Sequence, residues 1–313
     1  MWRHVDKLSQ RRLAEQINED RIDILFDLSG HTSDNRLPAF ALRPAPVQIS
    51  WIGYPGTTGL STMDYRILTA TLAQPADLEQ QLTESIMFIE MRKFFEPHPQ
   101  SPDIQPLPAL KNGWLTFGSF NRPKKINDEV LRVWAKILTL YPESRFVIGF
   151  MNDDKMVAAM TKKLQQLGID ESRLIFKRRA SLVDYLAYHH EIDILLDAFP
   201  YSGGTTSNHA CWMGVPTLTL CGATMAARQG VDIMRIHGLE EFIAYTEEDY
   251  IQKALSWRDR FAELSEIRTT MRGRIPMETE DGFNVAGTFG RALQEAWRIY
   301  CAGEAPRTFT VME

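Results

Sequence analysis

The chain has 313 residues, enough for two domains with substantial cores, and its 44% hydrophobic and 24% charged residues are typical of a soluble globular protein. These fractions do not favour disordered segments in the middle of the chain. The formal net charge of -5 argues against a surface built to bind nucleic acid or an anionic membrane.

The cysteines and the apolar runs indicate where the protein resides. The three cysteines are too few and too scattered for a disulfide framework or a zinc site. No apolar run approaches the roughly 18 residues that span a bilayer, and the first residues lack the apolar segment of a signal peptide. The sequence therefore predicts a cytoplasmic protein with core thiols in a reducing compartment.

Residues 1–96 alternate helical and strand patterns and are predicted to form a first Rossmann-like lobe. The chain opens with a helix over residues 7–19 and a buried strand over 22–28, with no strand before them. We therefore expect a sheet that begins halfway and an incomplete first lobe. The other predicted elements here are a helix over 36–42 and strands over 47–52, 64–68 and within 85–95.

Two loops of this region follow predicted strands, at the edge where open α/β sheets bind ligands. His31 follows the first strand and is a candidate catalytic residue, with an ordinary loop histidine as the alternative. Gly53 and Pro55 belong to a rigid loop with three glycines and one proline in seven residues. The alternative for this loop is a plain connector.

Five prolines in residues 97–111 indicate a linker between two domains. From residue 112 to 282 strands and helices alternate again, which is the pattern of a doubly wound nucleotide-binding domain. Residues 283–313 are predicted to form a helix that packs back on the first lobe. Predicted strands cover 114–120, 145–150, 174–176, 194–196 and 217–220, and predicted helices cover 127–140, 154–168, 182–190, 205–213, 248–272 and 284–302.

The stretch from Asp193 to Pro216 predicts a phosphate site. A buried strand leads through Gly203 and Gly204 into a helix that begins with Thr205 and Thr206. Adjacent glycines let the backbone approach a ligand, and threonine hydroxyls and amides at a helix N-terminus favour an anion. The alternative is a simple helix cap.

Basic and amide side chains follow two other predicted strands. Asn121, Arg122 and Lys125 follow the strand over 114–120, and Lys177 to Arg179 follow the strand over 174–176. Cations and a helix N-terminus are a common way to hold a diphosphate without a metal. The second cluster has a solvated basic edge as its alternative. The chain lacks the glycine motifs of dehydrogenases and NTPases and any metal-ligand spacing, so we expect neither a cofactor nor a metal.

Several motifs together resemble the catalytic region of the O-GlcNAc transferase/SPINDLY family in its bacterial form, over nearly the whole chain. The motifs are Phe40-Ala-Leu-Arg-Pro-Ala-Pro-Val-Gln48, Trp51-Ile-Gly-Tyr-Pro-Gly-Thr57, Met63-Asp-Tyr65, Phe120-Asn121 with Lys125-Ile126, Gly204-Thr205-Thr206, Trp212-Met-Gly-Val-Pro216, Phe283-Asn284 and Tyr300-Cys-Ala-Gly303. The resemblance implies a GT-B architecture of two Rossmann-like lobes. It also implies metal-independent, inverting transfer of a sugar from a nucleotide sugar to Ser or Thr of a polypeptide, with UDP-GlcNAc as the expected donor and GDP-fucose as the alternative.

The resemblance also assigns roles to individual positions. Lys125 is similar to the family's diphosphate-binding lysine, and Thr205 and Thr206 to the threonines that grip the phosphates. Arg122 stands where the family has a glutamine near the diphosphate. The remaining positions expected to bind substrate are Asn121, Arg179, Gly203, Ala180 where backbone groups contact the base, Tyr185 where some members stack a histidine on uracil, and Gly53 and Pro55 beside the sugar and acceptor.

Three features depart from the family pattern, the first of which is the charge change that Arg122 makes in place of glutamine. Gly204 replaces a histidine of the animal enzymes, and His209 stands where those enzymes have a ribose-binding aspartate. We expect the chain to lack two parts of the family pattern: the segment that supplies the leading strands of the first lobe, and the tetratricopeptide repeats. An oligomer or a companion chain is then the expected partner that completes the first lobe. The alternatives to an active transferase are a non-catalytic nucleotide-sugar-binding module and another GT-B sugar-nucleotide enzyme.

Overall fold

The computed structural model describes residues 2–69, 77–89, 96–274 and 281–311, with residues 281–285 described as backbone only. The chain divides into two compact units. The first unit is Met1–Phe94 with Met277–Glu313, and the second unit is Phe95–Pro276. The rest of the strand predicted within 85–95 and the side chains of the Phe283-Asn284 motif lie outside the described residues.

Most predicted elements are present, with ends that differ by a few residues. The helices are α1 (Gln10–Glu19), α2 (Leu37–Phe40), α3 (Pro108–Asn112), α4 (Asp128–Leu140), α5 (Asp154–Gln166), α6 (Leu182–Ala187), α7 (Thr205–Trp212), α8 (Gln229–Ile236), α9 (Glu247–Ser256), α10 (Phe261–Thr270) and α11 (Asp281–Cys301). The strands are β1 (Ile24–Asp27), β2 (Val47–Ser50), β3 (Tyr65–Thr69), β4 (Ser85–Ile89), β5 (Thr116–Ser119), β6 (Arg145–Ile148), β7 (Leu174–Phe176), β8 (Ile194–Leu196), β9 (Thr217–Leu220), β10 (Ile243–Ala244) and β11 (Phe309–Val311). Among the helices formed by these described residues, none has both the length and the apolar character needed to cross a bilayer.

The first unit contains a parallel sheet in the order β1-β2-β3-β4-β11. Helix α11 packs on this sheet through the fully buried Ala292 and Ala296, together with larger side chains such as Phe289 and Trp297. The small alanines let the helix approach the strands closely. Strand β11 was not predicted, and it pairs with β4 at the edge of the sheet.

The second unit contains a six-stranded parallel sheet in the order β10-β9-β8-β5-β6-β7. In the order of the chain, the strands run 3-2-1-4-5-6 across the sheet, which is the arrangement of doubly wound dinucleotide-binding folds. The strand order reverses between β5 and β8. In such sheets ligands bind outside the carboxyl ends of the two strands that flank this reversal.

Helix α4 covers the sheet of the second unit beside this point. Its apolar positions recur at helical spacing, and Val130, Trp134 and Ile137 are fully buried. The Asn127 side chain accepts a hydrogen bond from the Val130 amide at 2.8 Å and so caps the helix N-terminus. The same side chain donates to the Phe199 carbonyl at 3.1 Å, which ties the start of α4 to the loop after β8.

The proline-rich residues predicted as a linker are held by buried groups of the second unit. Arg268, whose side chain is fully buried, donates to the Gln105 carbonyl at 2.7 Å. The Asp193 carboxylate accepts from the Ala109 amide at 2.9 Å and from the Thr116 amide at 2.7 Å. These contacts fix the chain where it enters β5.

Candidate functional site

The candidate site of the second unit lies at the carboxyl ends of β5 and β8. Asn121, Arg122 and Lys125 follow β5, and the segment from Asp197 to Thr206 follows β8. Since β5 and β8 pair directly, the structure brings these two predicted clusters together at the reversal of strand order. The site therefore occupies the position where folds of this topology bind nucleotides.

A buried carboxylate, that of Asp197, organises the turn after β8. Its Oδ1 accepts from the Gly203 amide at 2.7 Å, from the Ala198 amide at 2.9 Å and from Asn121 Nδ2 at 3.1 Å. Its Oδ2 accepts from Thr219 Oγ1 at 2.9 Å. Burial raises the pKa of Asp197, while these donors and the Lys125 charge oppose the rise. The carboxylate thus connects the ends of three strands.

The amino group of Lys125 points at this same turn. Its Nζ donates to the Ser202 carbonyl at 2.7 Å and lies 3.8 Å from the centre of the Tyr201 ring. Burial lowers the pKa of Lys125, the Asp197 carboxylate raises it, and the nearby Arg122 charge lowers it. A half-buried cation beside the start of a helix is suited to an anionic ligand.

The glycines before α7 stand where a Cβ would come too close to neighbouring side chains. A Cβ on Gly203 would lie 2.6 Å from Ser207 Oγ, and a Cβ on Gly204 would lie 2.9 Å from Gln229 Oε1. Gly204 is the N-cap of α7, and among the described residues no side chain caps this helix. The amides of Thr205 and Thr206 at the helix start therefore remain available for an anion.

The second basic cluster is largely engaged in surface ion pairs. Lys177 pairs with Glu191 at 2.6 Å, and Arg178 pairs with Asp154. Strand β7, which precedes this cluster, is two strands away from β5. The contacts of Lys177 and Arg178 favour the basic-edge alternative for these two residues. Arg179 is exposed, and so is Arg122 in the first cluster.

The residues predicted to contact the base and ribose lie on α6, on α7 and in the segment before α6. Tyr185 is 8% exposed and packs against Phe120 with ring centres 5.4 Å apart. Burial raises the pKa of Tyr185, whose hydroxyl makes a hydrogen bond with the Thr206 side chain. His209 lies one helical turn after Thr205, 5.5 Å from the Tyr185 ring between centres, and burial lowers its pKa. The partly buried Ala180 precedes α6.

In the first unit the two predicted loops pack against each other. The exposed His31 ring meets the Tyr54 ring edge-on with centres 5.2 Å apart. A Cβ on Gly53 would lie 2.0 Å from the Leu28 carbonyl oxygen, so this glycine permits direct contact between the two loops. The structure thus places His31, Gly53 and the neighbouring Pro55 in one loop cluster at the carboxyl ends of β1 and β2.

A buried cation, Arg66, supports this loop cluster and was not predicted. It donates to the Tyr54 carbonyl and, at 3.3 Å, to Ser50 Oγ. Burial lowers the pKa of Arg66, and the charges of Asp27 and Glu84 oppose the shift. Its position inside an otherwise apolar strand pattern was the only signal in the sequence.

The candidate site of the second unit does not coincide with the cavity of that unit, and its described residues do not have the composition of a metal site. A cavity of about 570 Å³ in the second unit is lined by Gly113, Tyr141 and Arg258, at the amino ends of the strands rather than the carboxyl ends. Ligand sites of parallel sheets lie at the carboxyl ends, so we assign the site by topology and not by cavity volume. Within the described ranges no group of three or more His, Cys, Asp or Glu side chains is placed to hold a metal ion.

Sequence comparison gives a consistent set of relatives. The profile described as "Glycosyl transferase family 41" matches residues 5–102 and 107–285. A protein of Oryza sativa subsp. japonica, named probable UDP-N-acetylglucosamine--peptide N-acetylglucosaminyltransferase SPINDLY, is 38% identical over 311 residues, which is 98% of this chain and 33% of the relative. The chain therefore spans about a third of the length of the curated relatives it matches.

Structure comparison agrees with the sequence comparison. A lysine-to-methionine mutant of the Thermobaculum terrenum O-GlcNAc transferase is similar with a TM-score of 0.84 and 36% identity, over 96% of this chain and 58% of that chain. HepE of Anabaena, in complex with UDP and glucose, is similar with a TM-score of 0.57 and 12% identity, over 94% of this chain and 83% of that chain. The second likeness concerns the fold alone. The GT-B fold and the family predicted from the motifs are confirmed.

Proposed function

The chain belongs to glycosyl transferase family 41, and from this membership we propose that it is a protein O-glycosyltransferase. The proposed reaction transfers N-acetylglucosamine from UDP-N-acetylglucosamine to a serine or threonine hydroxyl of a polypeptide, with inversion at the sugar. The relatives' names support this donor and this class of acceptor. The three free thiols Cys211, Cys221 and Cys301 agree with the cytoplasmic location that the sequence predicts.

One observation carries the proposal: at the strand-order reversal of the second unit, Lys125 donates to the carbonyl of Ser202, two residues before the N-cap of α7. When the bond between the sugar C1 and the diphosphate oxygen breaks, negative charge develops on the leaving diphosphate. A fixed cation and free helix amides stabilise that charge without a metal. Lys125, Thr205 and Thr206 are the residues that we assign to this role.

We assign the acceptor to the loop cluster of the first unit. A new bond forms between the acceptor oxygen and C1, and the hydroxyl proton passes to a base. His31 is the candidate base, because its ring is exposed beside Tyr54 at a strand end. Gly53 and Pro55 are assigned to the border of the sugar and acceptor sites.

The test is transfer to peptides. The full chain is incubated with UDP-N-acetylglucosamine and a library of Ser- and Thr-containing peptides, and products are identified by mass spectrometry, with GDP-fucose in a parallel reaction. We expect a mass increase of one N-acetylhexosamine that disappears in Lys125→Ala. Transfer of fucose would instead identify GDP-fucose as the donor. Binding of UDP without any transfer, under all these conditions, would indicate a nucleotide-sugar-binding module instead.

A further inference from the structure

Two oppositely charged side chains make hydrogen bonds to the turn at the candidate site. Lys125 Nζ donates to the Ser202 carbonyl at 2.7 Å, and the amide of the next residue, Gly203, donates to Asp197 Oδ1 at 2.7 Å. The two charged side chains thus hold the same two-residue segment. The role of Asp197 is not explained by contact with a ligand, because its side chain is 0% exposed and both oxygens already accept hydrogen bonds.

We propose that the buried carboxylate of Asp197 keeps Lys125 protonated, and so preserves the positive charge that holds a nucleotide diphosphate. This inference rests on the proposed function and adds a positioning residue to it. Three of the four hydrogen-bond partners of Asp197 are N–H groups, which can only donate, and all three donate to Oδ1, which is the environment of an ionised carboxylate. A lysine that loses water needs such a counter-charge to remain a cation.

The other groups around the pair make this counter-charge necessary. Arg122 is a like charge that disfavours protonation of Lys125, and burial acts in the same direction. The Tyr201 ring lies under the amino group but carries no formal charge. Near Asp197, the Tyr250 hydroxyl donates to the main-chain oxygen at 3.1 Å and not to the carboxylate. Among the groups that the structure describes around Lys125, Asp197 is therefore the anion that opposes the loss of the Lys125 charge.

Charge and hydrogen bonding can be separated by Asp197→Asn. The asparagine oxygen can accept the three bonds now made to Oδ1, and its amide can donate to the Thr219 hydroxyl, which accepts as well as donates. The substitution therefore removes the charge and leaves the hydrogen-bond geometry available. Thr219→Val is the converse change, because it removes one hydrogen bond and leaves both charges in place.

The experiment is calorimetric titration of the full chain with UDP between pH 6.5 and 10. For the wild type we expect affinity to fall at alkaline pH as Lys125 deprotonates. In Asp197→Asn this fall should begin about 1–2 pH units lower. At pH 6.5 the variant should bind UDP at least as tightly as the wild type, since one negative charge near the diphosphate is gone.

The control uses Lys125→Arg, whose guanidinium stays charged over this range. In that background Asp197→Asn should not shift the alkaline fall, and any remaining fall belongs to the nucleotide or to other groups. The inference would be overturned if the alkaline fall in UDP affinity did not shift in Asp197→Asn. It would also be overturned if the same shift appeared in the Lys125→Arg background or in Thr219→Val. Absence of UDP binding by the wild type at every pH would overturn the proposed function and the inference with it.

If circular dichroism shows that Asp197→Asn does not fold, the inference is tested by comparing the alkaline fall in UDP affinity between the wild type and Lys125→Arg. A fall attributable to Lys125 above about pH 9 supports the inference, because a half-buried lysine beside an arginine would lose its proton earlier without a counter-charge. A fall attributable to Lys125 that begins below about pH 9 contradicts it.

Discussion

The pH dependence of folding should reveal the buried carboxylate of Asp193. This side chain is 0% exposed and accepts hydrogen bonds from the amides of Ala109 and Thr116, at the entry to β5. Burial raises the pKa of Asp193 to about 6, and the two amides and the Arg268 charge only partly oppose the rise. The unfolded chain has the ordinary pKa of 3.8.

The sign and size of the effect follow from these pKa values. Between the two values the native chain binds more protons than the unfolded chain, so the free energy of unfolding decreases as pH rises. The difference of about two pKa units corresponds to about 3 kcal/mol in total. About 2 kcal/mol of this lies between pH 4.5 and 7.5, and the contribution is flat above that range.

The assay is urea unfolding of the full chain over this pH range, for the wild type and for Asp193→Asn. Burial lowers the pKa of His189 to about 3, which produces the opposite slope, so the Asp193 contribution is obtained by subtracting the two proteins at each pH. We expect the wild-type advantage to shrink by about 2 kcal/mol from pH 4.5 to 7.5. A difference that is constant, or that grows with pH, would refute the reasoning.

Three further substitutions test the packing of both units by urea unfolding. Gly53→Ala should destabilise the chain by about 3 kcal/mol, because the new Cβ would clash with the Leu28 carbonyl oxygen. The control Gly273→Ala has open space around the new Cβ and should change the stability by less than about 0.5 kcal/mol. Equal effects of the two substitutions would contradict the loop packing. Asn127→Ala should cost about 1–2 kcal/mol through loss of the α4 cap, and no loss would exclude that role. Arg268→Met should cost about 3–5 kcal/mol, because the carbonyls of Gln105, Ile192 and His189 lose their donor and the last two are buried. A neutral result would show that these carbonyls find other partners.

The sequence predicts the regular elements well where periodicity is strong. The helix over 127–140 and the strand over 194–196 agree closely with α4 and β8, because apolar residues recur at the spacing that each structure requires. Strand β11 was missed because it has only three residues, of which Thr310 is exposed. Such a short segment becomes a strand through its neighbour β4 and not through its own pattern.

The candidate site could be predicted only in part. Lys125, Gly204 and the threonines stand at strand ends, where residue type alone indicates an anion site. Asp197 gave no such signal, because its role depends on donors from Asn121 and Thr219, which are distant in sequence. The ion pair of Lys177 with Glu191 also joins residues that are apart in sequence. The sequence alone therefore could not tell whether residues 177–179 form a solvated basic edge or a binding cluster. Whether the predicted residues bind substrate stays a prediction.

The most direct test of the central claim, that the second unit holds a nucleotide diphosphate at Lys125, is calorimetric titration with UDP. The full chain is compared with Lys125→Ala and with the matched control Lys124→Ala, an exposed lysine of the same turn. We expect UDP to bind the wild type and the control alike, and Lys125→Ala to lose about 3 kcal/mol, or about 100-fold in affinity. Equal affinity in all three proteins, or equal losses in the two variants, would contradict the claim.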